Sequence, residues 1–155
     1  MTRTSATATA LAAAMPDATW SFITGHDPAR YYPAFGPLPA VTAVSDQTGP
    51  WTVVGQSRML HLSDGGSVVE TITDAASPTY FAYDLSDFRR LFGRLVSGAR
   101  AEWRLEREGD GTRIRWAYAF HPRRGAGLVV AVIVQLWWSR YMRRVLPRIA
   151  ADAGR

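Results

Sequence analysis

The strongest constraint on the fold of this chain is a pair of alternating segments, residues 99–108 and 112–120. In the first segment Trp103 and Leu105 alternate with charged residues, and in the second the bulky apolar residues alternate with arginine or alanine: Ile114, Trp116, Tyr118 and Phe120. Alternation with a period of two predicts strands that bury one face. The Gly109-Asp110-Gly111 sequence between them predicts a tight hairpin that sets Trp103 opposite Trp116. One face of this hairpin is therefore broad, aromatic and dry, and another element must cover it.

The C-terminal segment, from Gly127 to about Ala151, can supply that cover. It contains neither Gly nor Pro from Leu128 to Leu146, and it is long enough for a helix of ~35 Å. Its second half is amphipathic, and Met142 lies on the apolar stripe that we expect to face the sheet. Continued backwards at helical spacing, this stripe places the following residues inward: Trp138, Gln135, Ala131 and Leu128.

The first half of this helix is apolar on every side. The residues expected to point away from the sheet are Val129, Ile133, Leu136 and Trp137. Three explanations are open: burial under loops and small helices, a homodimer interface formed by these residues, or contact with a membrane surface whose head groups meet the following arginines. The apolar run from Ala126 to Trp138 is too short for a transmembrane helix.

The sequence before the long hairpin predicts an edge strand near residues 5–10, two short helices and further strands. Pro16 favours the start of the first helix, and Asp27 caps the second. Strands are predicted at Thr52–Leu62, Ser67–Asp74 and Thr79–Leu85, with an Asp-Gly-Gly turn between the first two. Because hairpin follows hairpin, the predicted fold class is α+β, with a curved antiparallel sheet of about six to seven strands.

Length and composition restrict the classes of function. A chain of 155 residues has room for one domain, which we expect to span residues 1–155 with 1–5 and 152–155 frayed. The absence of cysteine excludes disulfides and thiolate chemistry. All 18 basic residues are Arg, and several alternate with apolar residues in strands, so we expect no nucleic-acid partner. No secretory signal is recognised, which predicts a cytoplasmic protein.

Several short motifs follow one another in an order that resembles a known superfamily. They are Pro16–Ile23 with its Trp20, Gly55–Arg58, Asp64–Ile72, Ala82–Leu85, Glu102–Leu105 and Gly109–Arg113, followed by the long C-terminal helix. In this order they resemble the SRPBCC (START and birch-pollen-allergen-like) superfamily, and most of all its polyketide cyclase/dehydrase-like members. The likeness extends from about Ala8 to Ala150.

This resemblance implies a helix-grip fold, in which the sheet wraps around the C-terminal helix after a first strand and two short helices. It also implies a cavity between helix and sheet that binds a small hydrophobic or aromatic ligand. It does not imply one reaction, because the superfamily includes lipid carriers, hormone receptors and cyclases. One alternative function is a cyclase or dehydratase acting on a polyketide-like carbonyl substrate. Another is a protein-interaction or dimerisation module that uses the outer face of the helix.

Such a cavity is expected to have apolar walls and a few polar tips. The expected ligand-binding residues are Thr71, Tyr83, Trp103, Trp116, Tyr118, Leu128, Gln135, Trp138 and Met142. The catalytic residues are unknown, and the candidates for a general acid or base are Glu70, Tyr83 and His61.

For two of these candidates, the sequence leaves open which way the side chain faces. A Gly bulge in the turn would bring Glu70 and Arg58 onto the same face, where they could pair; without it they face apart. His61 alternates with Leu60 and Leu62, so it is either exposed or a lone base that faces the cavity. The three histidines are far apart in sequence, so we expect no metal site, and the lack of a Gly-rich phosphate loop predicts no cofactor.

Overall fold

Among residues 4–155, seven segments form strands, and they pair into one antiparallel sheet. The computed structural model describes residues 4–155. The strands are β1 (Ser5–Ala12), β2 (Val41–Ser45), β3 (Ser57–Leu62), β4 (Ser67–Ala76), β5 (Tyr80–Ser86), β6 (Val96–Glu108) and β7 (Gly111–Pro122). Across the sheet they lie in the order β1-β7-β6-β5-β4-β3-β2, so the first strand pairs with the last. The predicted helix-grip α+β class is confirmed.

The long hairpin of β6 and β7 has the predicted register. Trp103 lies opposite Trp116, and the two rings stack with their centroids 4.9 Å apart. The strands are paired as far as Glu108 and Gly111, and Gly109 in the turn has a φ of 59°, which glycine adopts without strain. Both tryptophan side chains are buried, so the aromatic face of this hairpin is covered.

Strand β3 is shorter than the predicted Thr52–Leu62. Residues 51–56 form a turn instead, because the side-chain oxygen of Gln56 accepts hydrogen bonds from the backbone N–H groups of Thr52 and Val53. Gly55 in this turn has a φ of 93°, a conformation that interrupts a strand. An amide side chain therefore provides local hydrogen bonds that compete with the ladder of the sheet.

The described part of the chain contains three short helical elements besides the terminal helix. Helix α1 (Pro16–Gly25) begins at the predicted Pro16, and a 3-10 turn (Pro28–Arg30) follows, capped by the carboxylate of Asp27 at 3.0 Å from the Ala29 N–H. Helix α2 (Leu91–Leu95) precedes β6 and was not expected. It connects β5 to β6 along the edge of the interior, where Phe92 packs against the core.

The terminal helix runs from residue 127 to residue 153 in three consecutive segments. They are α3 (Gly127–Ile133), a π-helical turn (Val134–Trp138) and α4 (Ser139–Ala153). A π-turn contains one more residue than an α-turn, so it shifts the side chains on either side of it relative to one another.

This shift corrects the predicted inward stripe. The buried positions before Trp138 are Val130 and Val134, each one residue earlier than helical spacing from Met142 predicts. Leu128 is 80% exposed, and Gln135 is exposed as well. The inward placement of these two residues was therefore wrong, because it assumed an unbroken α-helical period.

The interior is solidly packed at the end of the sheet nearest α1. Trp20 of α1 meets Phe81 edge-on, with ring centroids 5.2 Å apart, and Ile149 of α4 is fully buried in the same cluster as Leu105 and Ile114. On the outer face the charges pair with one another. Arg100 contacts three carboxylates, those of Asp74, Asp84 and Glu102, as expected for a solvated face of the sheet.

The ends of the described chain take part in the fold. Thr4 is buried and Ser5 begins β1. The carboxylate of Asp152 accepts a hydrogen bond of 2.6 Å from the hydroxyl of Tyr31, and the helix continues to Ala153. Helix and strand thus extend into the segments expected to be frayed, while residues 1–3 of that prediction lie outside the described residues.

Replacement of Ile149 by Ala tests which face of the terminal helix packs against the sheet. Loss of this buried side chain should lower the free energy of unfolding by about 2–4 kcal/mol. The matched control is Arg148→Ala on the exposed side of the same turn. This substitution should change the free energy of unfolding by less than about 0.5 kcal/mol. Urea denaturation measures both values, and equal losses would contradict this orientation.

Candidate functional site

The other end of the interior is hollow. Between the sheet and the first half of the terminal helix lies a cavity of about 110 Å³. The sheet contributes mainly Leu60, Val68, Leu85, Trp116, Tyr118 and Phe120, and the helix contributes Val130, Ile133, Val134, Trp138 and Tyr141. Phe88, Phe92 and Leu95 close the side formed by α2 and its flanking residues. Most of the wall is therefore apolar or aromatic.

One ion pair interrupts the apolar wall. The Nε of Arg58 on β3 donates to Oε1 of Glu70 on β4 at 2.8 Å, with side chains only 7% and 4% exposed. The guanidinium also lies over the ring of Trp51, with its central carbon 4.0 Å from the ring centroid. Trp51 is itself 1% exposed. A pair of charges this deeply buried needs each partner to neutralise the other.

The turn between β3 and β4 sets the strand register that brings these two charges together. Leu62 and Gly66 are hydrogen-bonded across it, and Gly65 between them has a φ of 83°. With three residues in the loop, Arg58 lies directly opposite Glu70 on the inner face. The turn therefore has the glycine conformation on which the predicted pairing depended, and Arg58 and Glu70 form a pair.

Three tyrosines bring hydroxyl groups to the same cavity. Burial raises the pKa of Tyr83, and the nearby charge of Glu70 raises it further. Burial is also the main reason why the pKa values of Tyr32 and Tyr118 lie well above that of a free tyrosine, with Tyr83 and Glu70 adding to the effect. All three hydroxyls are therefore neutral at physiological pH and can both donate and accept hydrogen bonds.

Several polar groups of the wall have unused hydrogen-bonding capacity. Within residues 4–155, the guanidinium of Arg58 makes its single hydrogen bond to Glu70, and the hydroxyls of Tyr32 and Tyr118 make none. The indole N–H groups of Trp116 and Trp138 also lack an acceptor among the described residues. Buried donors without acceptors cost free energy that a bound acceptor would recover.

The structure brings together only part of the predicted site. Tyr83, Trp116, Tyr118 and Trp138 line the cavity, as does Glu70. The predicted residues that do not line it are Thr71, Trp103, Leu128, Gln135 and Met142.

Each of these five residues lies outside the cavity wall for a local reason. Thr71 alternates with Glu70 on β4 and so lies on the outer face of the sheet. Trp103 stands one layer behind the wall, where its ring stacks on Trp116 and its N–H donates to the hydroxyl of Tyr83 at 3.4 Å. Met142 is fully buried in the packed end of the interior, and the π-turn directs Leu128 and Gln135 outward.

Ile133 is displaced in the opposite direction. It was predicted to point outward, but it lines the cavity beside Val134. Its place in the proposed dimer surface was therefore wrong. The extra residue of the π-turn accounts for this change as well, since the α3 segment is rotated relative to α4.

His61 faces away from the cavity. It lies between the inward-facing Leu60 and Leu62, and its Nε2 is 2.7 Å from the hydroxyl oxygen of Ser45 on β2. Its role as a base facing the cavity is therefore contradicted by the structure. Among residues 4–155, no three His, Asp or Glu side chains converge in the manner of a metal site.

Some cavity residues were not predicted from the sequence. Tyr32 comes from the segment after the 3-10 turn, and Phe88 and Phe92 come from the connection between β5 and β6. These segments have no regular periodicity, so the available signal was their aromatic content alone.

Breaking the buried ion pair should be costly, whereas removing both charges should not. Arg58→Met and Glu70→Leu are each expected to lower the free energy of unfolding by about 3–5 kcal/mol, because each leaves one charge buried without its partner. The double variant should return to within about 1 kcal/mol of the original chain. The exposed pair Arg113–Glu108 is the control, since its single variants should leave the free energy of unfolding nearly unchanged. A double variant as unstable as the worse single variant would contradict the pairing.

Comparison with solved structures shows where this architecture occurs elsewhere. A structural-genomics protein from Nitrosospira multiformis aligns with a TM-score of 0.69 at 13% identity, covering 97% of this chain and 96% of its own. A protein from Arthrobacter aurescens aligns at 0.68 and 17% identity, covering 97% and 86%. Ara h 8.0201 aligns at 0.64 and 17% identity, covering 94% and 96%. At these identities the likeness shows a shared fold.

The sequence comparison identifies the family. No curated protein matches the chain. Residues 3–154 match the family described as polyketide cyclase / dehydrase and lipid transport, which is of the SRPBCC type. The resemblance seen in the order of the motifs is confirmed, and the chain belongs to the polyketide cyclase/dehydrase and lipid transport family.

Proposed function

We propose that this protein binds a small, mostly apolar molecule with an oxygen acceptor at one end, in the cavity between the terminal helix and the sheet. The observation that carries the proposal is a wall of apolar and aromatic side chains interrupted by one buried arginine with unused donors. Apolar walls with few, converging polar groups are the usual design of a small-molecule site. The family and the fold support a ligand-binding role for this cavity.

The volume of the cavity limits the size of the ligand. A cavity of about 110 Å³ is somewhat smaller than the ~150 Å³ cavity that accommodates benzene in an engineered protein. A single aromatic ring is therefore the upper limit for the apolar part of a ligand that enters without rearrangement. A longer ligand would require the helix or α2 to move outward.

The polar end of the ligand is expected to lie beside Arg58. The guanidinium has five N–H donors, and only Nε is engaged by a described residue. A carbonyl or carboxylate oxygen could accept from the remaining donors, and a hydrogen bond to a charged donor is worth about 1.5–3 kcal/mol. The hydroxyl of Tyr83 or Tyr118 could supply a second contact at the same end.

A matched pair of ligands separates this contact from apolar burial. Acetophenone and α-methylstyrene have nearly the same shape, but the second carries a CH₂ group where the first has its carbonyl oxygen. In the Arg58→Met, Glu70→Leu double variant, the ratio of their Kd values should shift by about 10- to 100-fold toward α-methylstyrene, because the charged donor is gone. Isothermal titration calorimetry measures both affinities.

The control for this experiment is the double variant Arg113→Met, Glu108→Leu on the protein surface. It should leave the ratio of Kd values unchanged. The proposal fails if neither compound binds the original chain, or if the ratio is the same in all three proteins.

A second candidate function is proton transfer next to a bound carbonyl group. The observation that favours it is that the carboxylate of Glu70 lies beside Arg58 in the same wall. If Arg58 polarises a carbonyl oxygen, the neighbouring carboxylate can remove a proton from the adjacent carbon, as a general base. Enolisation of this kind is the first step in the cyclisation and dehydration of poly-keto compounds.

Hydrogen–deuterium exchange tests this second candidate without knowledge of the natural substrate. The protein should accelerate exchange of the methyl protons of acetophenone in D₂O, and Glu70→Gln should reduce that acceleration by at least about 100-fold, the usual scale of general-base catalysis. ¹H NMR follows the exchange, and calorimetry confirms that the variant still binds acetophenone. Equal exchange rates with and without the protein would exclude this activity for the probe.

A further inference from the structure

The outer face of the terminal helix is apolar over its first half. Leu128 is 80% exposed, Val129 50%, Val132 47% and Leu136 49%. Leu128, Val132 and Leu136 are spaced by four residues, so they form one ridge along the exposed side of the helix. The π-turn contributes to this alignment, because its wider turn keeps residues four apart nearly in line. Clusters of exposed apolar residues on a protein surface usually mark a contact site.

Trp137 borders this ridge on one side. Its indole packs against Gly36 and meets the ring of Phe35 edge-on, with centroids 5.7 Å apart, yet the residue is still 37% exposed. A partly exposed tryptophan beside an apolar ridge is typical of side chains that lie at the boundary between hydrocarbon and water.

Exposed arginines lie at both ends of the ridge. Arg123 and Arg124 precede it, and Arg140, Arg143 and Arg144 follow it, with Arg140 and Arg144 continuing its four-residue spacing. None of these five forms a salt bridge with a residue of the described chain. The sequence contains no Asp or Glu from residue 111 to residue 151. The surface therefore combines a row of apolar side chains with unpaired positive charge.

We propose that this helix face docks on an anionic lipid bilayer, with the ridge of Leu128, Val132 and Leu136 entering the boundary region and the flanking arginines on the head groups. Amphipathic helices with such a pattern lie in the plane of the membrane surface. No helix among residues 4–155 is long and apolar enough to cross a bilayer, so the contact is with the surface of one leaflet. The docking is independent of what the cavity binds.

A second copy of the chain fits this face less well. In a twofold dimer the same patch meets itself, so the arginines at one end of each ridge would approach arginines of the other copy, whether the helices pack parallel or antiparallel. Like charges placed opposite one another disfavour that contact. A surface of phosphate head groups instead provides the opposite charge at both ends of the ridge.

The inner side of the same helix segment faces the cavity. Val130, Ile133 and Val134 line the cavity, whereas Val132 and Leu136 are exposed on the other side. A bilayer at the outer face would therefore lie one helix diameter, about 10 Å, from the cavity. This position is suited to the exchange of an apolar ligand with the membrane.

Vesicle flotation tests the proposal. The full chain should bind vesicles of 70:30 phosphatidylcholine and phosphatidylglycerol, bind vesicles of phosphatidylcholine alone at least tenfold more weakly, and be released at about 0.5 M NaCl, where surface charges are screened. Val132→Glu should reduce binding at least tenfold. The matched control is Val54→Glu, an equally apolar and 55% exposed residue in the turn before β3, which should keep binding unchanged.

A charge-matched pair of variants tests the arginines. Arg140→Gln with Arg143→Gln should weaken binding roughly 10- to 25-fold, since each basic residue near an anionic surface contributes about a fivefold factor. Arg107→Gln with Arg115→Gln removes the same charge from the hairpin and should have a clearly smaller effect. All four substituted arginines are exposed, and circular dichroism checks that each variant is folded.

Three results would overturn the proposal. They are absence of binding to the anionic vesicles, equal losses for Val132→Glu and Val54→Glu, or a dimer in sedimentation equilibrium that Val132→Glu dissociates. Acetophenone affinity measured in the absence of vesicles should be the same for the original chain and Val132→Glu. The two proposals can therefore fail separately, because loss of ligand binding and loss of vesicle binding are measured on different variants.

Discussion

The stacking of Trp103 on Trp116 is the contact on which the rest of the interior depends. Trp103 also stacks on Phe81 with nearly parallel rings, 2° apart, and its N–H holds the hydroxyl of Tyr83. On one side of this stack α1 and α4 pack against the sheet in one hydrophobic cluster. On the other side the cavity begins, with Trp116 and Tyr83 as part of its wall. Large rigid rings packed in contact cannot move to fill a neighbouring void, so the hollow persists beside a dense core.

A buried ion pair in an apolar wall has a stability cost as well as a functional use. Desolvation of Arg58 and Glu70 is unfavourable, and a pair of well-packed apolar residues could serve stability as well or better. The pair nevertheless places in the cavity wall a fixed positive charge whose unused donors have no competing acceptor among the described residues. Trp51 over the guanidinium shields it from water and maintains its position.

The terminal helix serves two surfaces at once. On its buried side, α4 crosses the packed end of the sheet and α3 crosses the cavity. Its exposed side carries the apolar ridge and the arginines. The π-turn at Val134–Trp138 makes this division possible, because it rotates α3 relative to α4 and so brings Ile133 and Val134 to the cavity. A single inserted residue thereby changes which side chains line the cavity.

Residue order alone was enough to predict the antiparallel sheet, the register of Trp103 and Trp116, helix α1 and the position of the terminal helix, because these depend on local periodicity and turn chemistry. It also pointed to Tyr83, Trp116, Tyr118 and Trp138 as cavity residues, since they alternate on one strand face or lie on the helix stripe. The rotation of α3 about the helix axis, and the placement of Tyr32, Phe88 and Phe92 at the cavity, depended on the tertiary structure. A π-turn has no periodic signal of its own, and residues in irregular segments acquire their neighbours only when distant parts of the chain pack together.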